Sequence, residues 1–372
     1  MNTTCSWLGR LGEIFMRIES VTISGFRSFG AEPVTVALAG DVTAVIGPNA
    51  SGKTAFLQAI AKLFGVTRAQ RTIDRSDFHL PPDVDPSDLT PCELYIDVLI
   101  AFPELARGSA TSETVAPTFR HSRIERLGAS PSCRIRLEAR WDDDGTAEGE
   151  VSQNLYWIDT LDATIKDEQR HTLSPSVRGL IQLYYTPASR DAAAQIRATT
   201  GTLAARLLRA IAWSEDTKVA VEAATKGLSG SFNAEAAIKA ISKALNERWS
   251  ALHDEDTDTE PSLALISRRF EEVVRNVNVV FQQGPAGIER GLEALSDGQQ
   301  SLFYFALAAA VFDLERAAVA GKIGGFDTED LTIPALSIFA IEEPENHLSP
   351  YYLAALSNKS ARSSPTAWRR RS

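Results

Sequence analysis

The sequence predicts an α/β fold: a P-loop head with an antiparallel β subdomain and an inserted helical lobe. Three stretches carry that prediction. GPNASGKT (Gly47–Thr54) sits between a β-branched run and an apolar helix pattern, as a phosphate-binding loop does. SIFAIEEPE (337–345) is an apolar strand pattern ending in two carboxylates. Between these two stretches, strand patterns give way at Pro187 to an alanine-rich helical region.

Residues 1–15 are expected to be a disordered extension. RIESVTISGF alternates polar and apolar residues as an exposed edge strand should. VTVAL (34–38) and VTAVI (42–46) read as strands rich in β-branched residues. KTAFLQAIAKLF (53–64) has the spacing of a helix packed on a sheet, closed by Gly65. Residues 66–91 carry Pro81, Pro82, Pro86 and Pro91, which break regular structure. ELYIDVLIAF (93–102), CRIRLEARW (133–141) and VSQNLYWID (151–159) read as an antiparallel set. The acidic, glycine-bearing DDDGTAEGE joins the last two as a hairpin loop, and GLIQLYYT (179–186) is a further strand.

The helical lobe is expected over 188–262, ending in the solvated acidic loop HDEDTDTEPS; no heptad is sustained, so no long coiled coil is expected. FEEVVRNVNVVFQ (270–282) reads as strand, and SLFYFALAAAVFDLERA (301–317) as a long helix with a buried face. One domain is thus expected over 16–356, followed by a disordered basic tail, 357–372.

The bulk numbers narrow the class. At 372 residues with 44% hydrophobic and 23% charged content, the chain has ordinary globular composition. No apolar run approaches the roughly 20 residues needed to span a bilayer, so no membrane partner is expected. Three cysteines, Cys5, Cys92 and Cys133, lack metal-ligand spacing, which predicts reduced thiols and a cytoplasmic location. The net charge of −10 does not advertise nucleic-acid binding, although a local basic patch would suffice for it.

The motifs carry specific chemistry. The loop Gly47, Pro48, Asn49, Ala50, Ser51, Gly52, Lys53 and Thr54 is the expected ATP-binding segment, and its backbone N–H groups (Pro48 has none) can converge on phosphate oxygens at the positive end of a helix. Lys53 is placed to neutralise the β- and γ-phosphates, and Thr54 to give its hydroxyl to Mg²⁺. That pattern implies ATP with Mg²⁺. Glu342 and Glu343 leave a strand where ligands bind in such sheets. Glu342 is assigned to the metal and Glu343 to general-base activation of water. LSDGQ (295–299) reads first as a helix-capping turn, with Ser296 or Asp297 as the cap.

Together these residues resemble the ABC-type ATPase domain of the OLD (overcoming lysogenisation defect) nucleases, relatives of Gabija defence proteins, with RecF-type repair ATPases as near neighbours. The resemblance runs from about Met16 to Leu356. It rests on RIESVTISGFRSF, GPNASGKT, RSDFHLP, YYTPASRD, LSDGQQSLF and IEEPENHLSP. It implies a homodimer through ATP-sandwiched heads, in which Ser296, Asp297, Gly298 and Gln299 meet the γ-phosphate of the partner head. It further implies DNA as a ligand, a helicase-like or nuclease partner, and Arg27 and Ser28 near the nucleotide.

This sequence departs from the family pattern after HLSP. Family members continue to a switch histidine and a Toprim nuclease domain. Here SNKSARSSPTAWRRRS has neither pattern, His347 is the sole histidine after Glu343, and the Toprim centre is expected to be absent. Two readings stay open: an ATPase, or a hydrolysis-impaired ATP-binding fragment acting as an interaction module or a decayed gene product.

Overall fold

Strict period-two patterning builds the largest sheet. Six strands pair antiparallel: β1 (Arg17–Ser24), β2 (Val34–Ala37), β3 (Cys92–Ala101), β4 (Ser132–Asp142), β5 (Glu150–Ile158) and β6 (Arg170–Thr172). Their order is β2-β1-β3-β4-β5-β6. On β4, Cys133, Ile135, Leu137, Ala139 and Trp141 are buried, while Arg134, Arg136, Glu138, Arg140 and Asp142 alternate with them. A one-residue slip would exchange the two faces, so this alternation fixes the register. The computed structural model describes residues 16–40, 42–81, 92–106, 119, 124, 129–146, 149–188, 192–250, 263, 269–275, 277, 279–281, 289–329, 331 and 334–343. The expected extension 1–15, the acidic loop 253–262 and the tail 357–372 lie outside the described residues.

The described residues group into two compact units. One is drawn from Met1–Thr199, Asp297–Phe305 and Thr332–Ser372, the other from Thr200–Ser296 and Ala306–Leu331. In the first unit, helix α1 (Lys53–Phe64) buries Phe56, Ile60, Leu63 and Phe64, each contributing about 1.5–3 kcal/mol. It ends at Gly65, whose N–H donates to Ala61 O at 2.8 Å. A side chain there would meet that carbonyl at 2.7 Å, so only glycine fits. Short helices α2 (Arg68–Arg71), α3 (Pro103–Ala106) and α4 (Pro175–Arg178) follow, then strand β7 (Ile181–Thr186), buried throughout. Arg178 donates to the carbonyls of Leu63 and Lys62, both at 2.5 Å, placing a cation at the negative end of α1.

Three long helices follow: α5 (Ala192–Arg209), α6 (Glu215–Ala234) and α7 (Ala236–Ser250). After them come α8 (Phe270–Arg275), the two-residue strands β8 (Val280–Phe281) and β9 (Arg290–Gly291), helix α9 (Asp297–Val319) and strand β10 (Leu336–Ile341). Within the second unit, Trp213 meets Phe270 edge-on at 5.3 Å. There Arg206 Nη2 also donates to Glu315 at 3.0 Å.

β10 pairs parallel with β7, with Leu336 opposite Ile181 and Ile341 opposite Thr186. The phosphate-loop helix connects to the same pair through a parallel bridge between Gly65 and Leu183. This is the α/β part of the fold, distinct from the antiparallel sheet.

Three expectations about elements need correction. β1 is not an edge strand; it lies between β2 and β3, with Val21 and Ile23 fully buried. VTVA folds back onto it, with Val36 opposite Val21, and takes the edge instead. VTAVI forms no ladder, and Val42, Val45 and Ile46 are exposed. β-Branched residues suit a pleated surface, yet propensity alone supplies no partner strand. FEEVVRNVNVVFQ begins as helix α8, and among its described residues only Val280–Phe281 pairs as strand. Its first-turn Glu271 and Glu272 favour a helix N-terminus.

Candidate functional site

The phosphate loop is shaped by two backbone positions that ordinary residues avoid. Gly52 has φ +88°, and Ala50 lies in the left-handed region at φ +62°. A side chain at Gly52 would come within 2.9 Å of Ser28 Oγ, and one at Gly47 within 2.7 Å of Ser51 Oγ. Gly52 precedes α1 with no side-chain cap, so no side chain competes with an anion for the first-turn N–H groups. Lys53 Nζ donates to the carbonyls of Gly47 and Pro48, both at 2.8 Å. Those bonds fold the ammonium back over the loop. Thr54 is exposed at the head of the helix, its hydroxyl accessible to a metal.

Since the preceding run is unpaired, the loop takes its support from elsewhere. The turn Gly25–Gly30 packs against Gly52 through Ser28 and Phe29. Arg27 holds that turn in an unusual conformation, φ +49°. Backbone bonds clamp it: Arg27 N–H to Asp77 O and His79 N–H to Gly25 O, each 2.8 Å. His79 Nδ1 also meets the Arg27 carbonyl at 2.6 Å. The Arg27 side chain reaches buried Asp77, with Nε at 2.9 Å and Nη2 at 2.8 Å from Oδ1. Its Nη1 donates to Gln58 Oε1 on α1. Lys62, also on α1, pairs with the other Asp77 oxygen.

The carboxylates stand at the end of β10. Glu342 is 8% exposed. Its N–H donates to Thr186 O at 3.0 Å, and its Oε2 accepts the Ala188 N–H at 2.9 Å. Oε1 is buried, with no hydrogen bond of good geometry among the described residues. The Tyr185 phenol lies beside this carboxylate and interacts with it. Burial, and then the Glu342 charge beside it, push the Tyr185 phenol well above its ordinary range. Glu343 is exposed at φ +42°.

These groups fit Mg²⁺ as P-loop proteins hold it. Among the described residues no three His, Cys, Asp or Glu side chains cluster as an all-protein cage. Mg²⁺ favours one or two protein oxygens plus phosphate and water, which Thr54 and Glu342 can supply.

The remaining predicted residues open helix α9. Ser296 directly precedes it, and Asp297, Gly298 and Gln299 form its first turn, with Ser296, Asp297 and Gln299 exposed. Asp297 suits the positive end of that helix.

Sequence reading assigned no role to Gln58, Lys62, Asp77 or Tyr185. A signal existed for the first two. Thr54, Gln58 and Lys62 follow at i, i+4 and i+8, one ridge of α1. Asp77 and Tyr185 lie inside RSDFHLP and YYTPASRD, but sequence gives no distance from either to the loop.

The family described as "AAA domain, putative AbiEii toxin, Type IV TA system" matches residues 42–358. Chromosome partition protein Smc of Delftia acidovorans (strain DSM 14801 / SPH-1) is 41% identical over 54 residues, 14% of this chain. The chain spans 4% of that relative's length. Among solved structures, an Smc head domain with an extended coiled coil, bound to the C-terminal domain of ScpA and derived from Pyrococcus furiosus, shares 15% identity. Its TM-score is 0.40, over 94% of this chain and 88% of that one. An Smc head bound to the C-winged helix domain of ScpA shares 16% identity at TM-score 0.34, over 88% and 90% of the two chains.

Proposed function

Because the chain belongs to this AAA domain family, we propose that it binds ATP with Mg²⁺ between two copies of its head and hydrolyses it. We place that activity in a DNA-linked defence or repair system of the OLD or RecF-like kind. One observation carries the site assignment. The non-glycine residues with positive φ among the described residues are Arg27, Ala50 and Glu343. All three were singled out from the sequence as nucleotide-site residues, on three separate segments. Left-handed backbone at non-glycine positions costs about 1–3 kcal/mol each and persists where function needs the geometry.

In this reading the backbone N–H groups of residues 49–52 and the first turn of α1 hold the β- and γ-phosphates. Lys53 exchanges its two carbonyl bonds for phosphate oxygens. Thr54 and Glu342 would hold Mg²⁺, which would supply charge neutralisation at the phosphoryl group. Glu343, turned away from the strand direction by its positive φ, orients water and accepts its proton. Ser296 and Gly298 of a second copy complete the anion site with a hydroxyl and a backbone N–H. The DNA-linked setting rests on the resemblance carried by FRSF, LSDGQQSLF and IEEPENHLSP.

Light scattering after size exclusion tests this assembly. Glu343→Gln protein should be monomeric without nucleotide and dimeric in ATP with Mg²⁺, and adding Ser296→Arg should keep it monomeric. A Glu343→Gln protein that binds ATP yet stays monomeric at every concentration would remove the sandwich.

A further inference from the structure

Asp77 is fully buried and holds two cations at once. Its Oδ1 takes both Nε and Nη2 of Arg27, and its Oδ2 takes Lys62 together with the Asp74 N–H at 3.1 Å. Its main chain grips the same turn, since Asp77 O accepts the Arg27 N–H. A guanidinium has five N–H donors. Asp77 uses the Nε–H and one on Nη2, and Gln58 uses one on Nη1. Among the described residues, one N–H on each terminal nitrogen of Arg27 is therefore left, on a side chain a third exposed.

The place of the guanidinium follows from α1. Gln58 stands one turn beyond Thr54 on the same ridge, about 6 Å along the axis, and Lys62 one turn further. The Arg27 guanidinium is thus held between the Gln58 amide and Asp77, beside the turn whose Ser28 touches Gly52. We infer that Asp77 is a positioning residue: it fixes Arg27, by side chain and backbone together, so that the two remaining guanidinium N–H groups face nucleotide phosphate oxygens. Planar, two-pronged donation is what phosphate selects in arginine. The inference rests on the ATP-binding reading above and adds to it which residue makes Arg27 competent.

A double-mutant cycle tests it, with ATP affinity measured by titration well below each variant's Tm. Asp77→Asn preserves volume but leaves Arg27 and Lys62 as unneutralised neighbours, and should weaken ATP binding about tenfold. Arg27→Ala should lose a similar factor, and Arg27→Ala/Asp77→Asn no more than Arg27→Ala alone, since Asp77 acts through Arg27. Asp97→Asn, at an equally buried aspartate between two arginines, should leave ATP affinity unchanged. If Asp77→Asn does not fold, Lys62→Met/Asp77→Asn removes a cation with the anion and should show the same loss. Unchanged affinity in either Asp77 variant, additive losses in the cycle, or an equal loss in Asp97→Asn would overturn the inference while leaving ATP binding intact. A wild-type protein that binds no ATP would instead overturn the reading beneath it.

Discussion

Asp77 and Asp97 are both buried carboxylates between two cations, yet one faces a loop and the other a closed sheet. Asp97 on β3 accepts from Arg134 Nε at 2.9 Å and Nη2 at 2.6 Å, and from Arg136 Nε at 2.9 Å. Both arginines are about nine-tenths buried. Arg134 Nη1 donates to the carbonyls of Thr160 and Asp162, at 3.0 and 2.8 Å. Arg136 lies 4.0 Å over the Tyr95 ring and meets Glu138 at 3.5 Å. Arg27, by contrast, has a third of its side chain exposed. A buried ion pair whose guanidinium groups are closed off inside a sheet is a structural brace. The same pair with its guanidinium open to solvent beside a phosphate loop is, in the proposed reading, a preorganised ligand contact.

Stability separates the two regions most sharply. Asp97→Asn strands two buried guanidinium groups and should cost about 3–5 kcal/mol in urea unfolding. Asp77→Asn should cost less, about 2–3 kcal/mol, because Arg27 can turn toward solvent. Reversal of that order would erase the distinction between brace and contact.

Backbone strain gives a smaller effect. Ala50 sits at φ +62° in the loop, whereas the antiparallel sheet holds no such non-glycine residue among those described. Ala50→Gly should stabilise the fold by about 0.5–1 kcal/mol, the steric gain being partly offset by unfolded-state entropy. A decrease in Tm would show that the conformation is not strained.

The smallest effect concerns pH. Burial and the neighbouring Glu342 charge raise the folded-state pKa of Tyr185 above its ordinary value. The folded protein then keeps a proton that the unfolded chain releases near pH 10. Its contribution to stability is whole below about pH 10 and falls as pH rises further. Tyr185→Phe removes this dependence and should move the alkaline unfolding midpoint upward by roughly a few tenths of a pH unit. A downward shift would place the phenolate at an advantage in the folded state.

Much of this was legible in the sequence because the signals were local. GPNASGKT marked the loop, and helix 53–64 with its closing Gly65 followed from spacing and a terminator. The β3–β4–β5 set followed from alternation, as in CRIRLEARW, where arginines and apolar residues trade faces. What stayed illegible was pairing between distant segments. VTAVI has the composition of a strand but finds no partner, and β1 looks like an edge until VTVA covers it. Asp77 reads as a charged residue in an irregular connection. Only the fold brings it 50 positions back to Arg27.

The central claim is that loop, clamped turn and paired carboxylates form one hydrolytic site. Steady-state phosphate release from ATP with Mg²⁺ tests it directly, wild type against Glu343→Gln, each first shown to bind ATP. The account predicts turnover by wild type and a rate at least about a hundredfold lower for the variant, the scale of losing a general base. Wild-type turnover no faster than that of Glu343→Gln, with ATP bound by both, would contradict it and leave an ATP-binding module that does not hydrolyse.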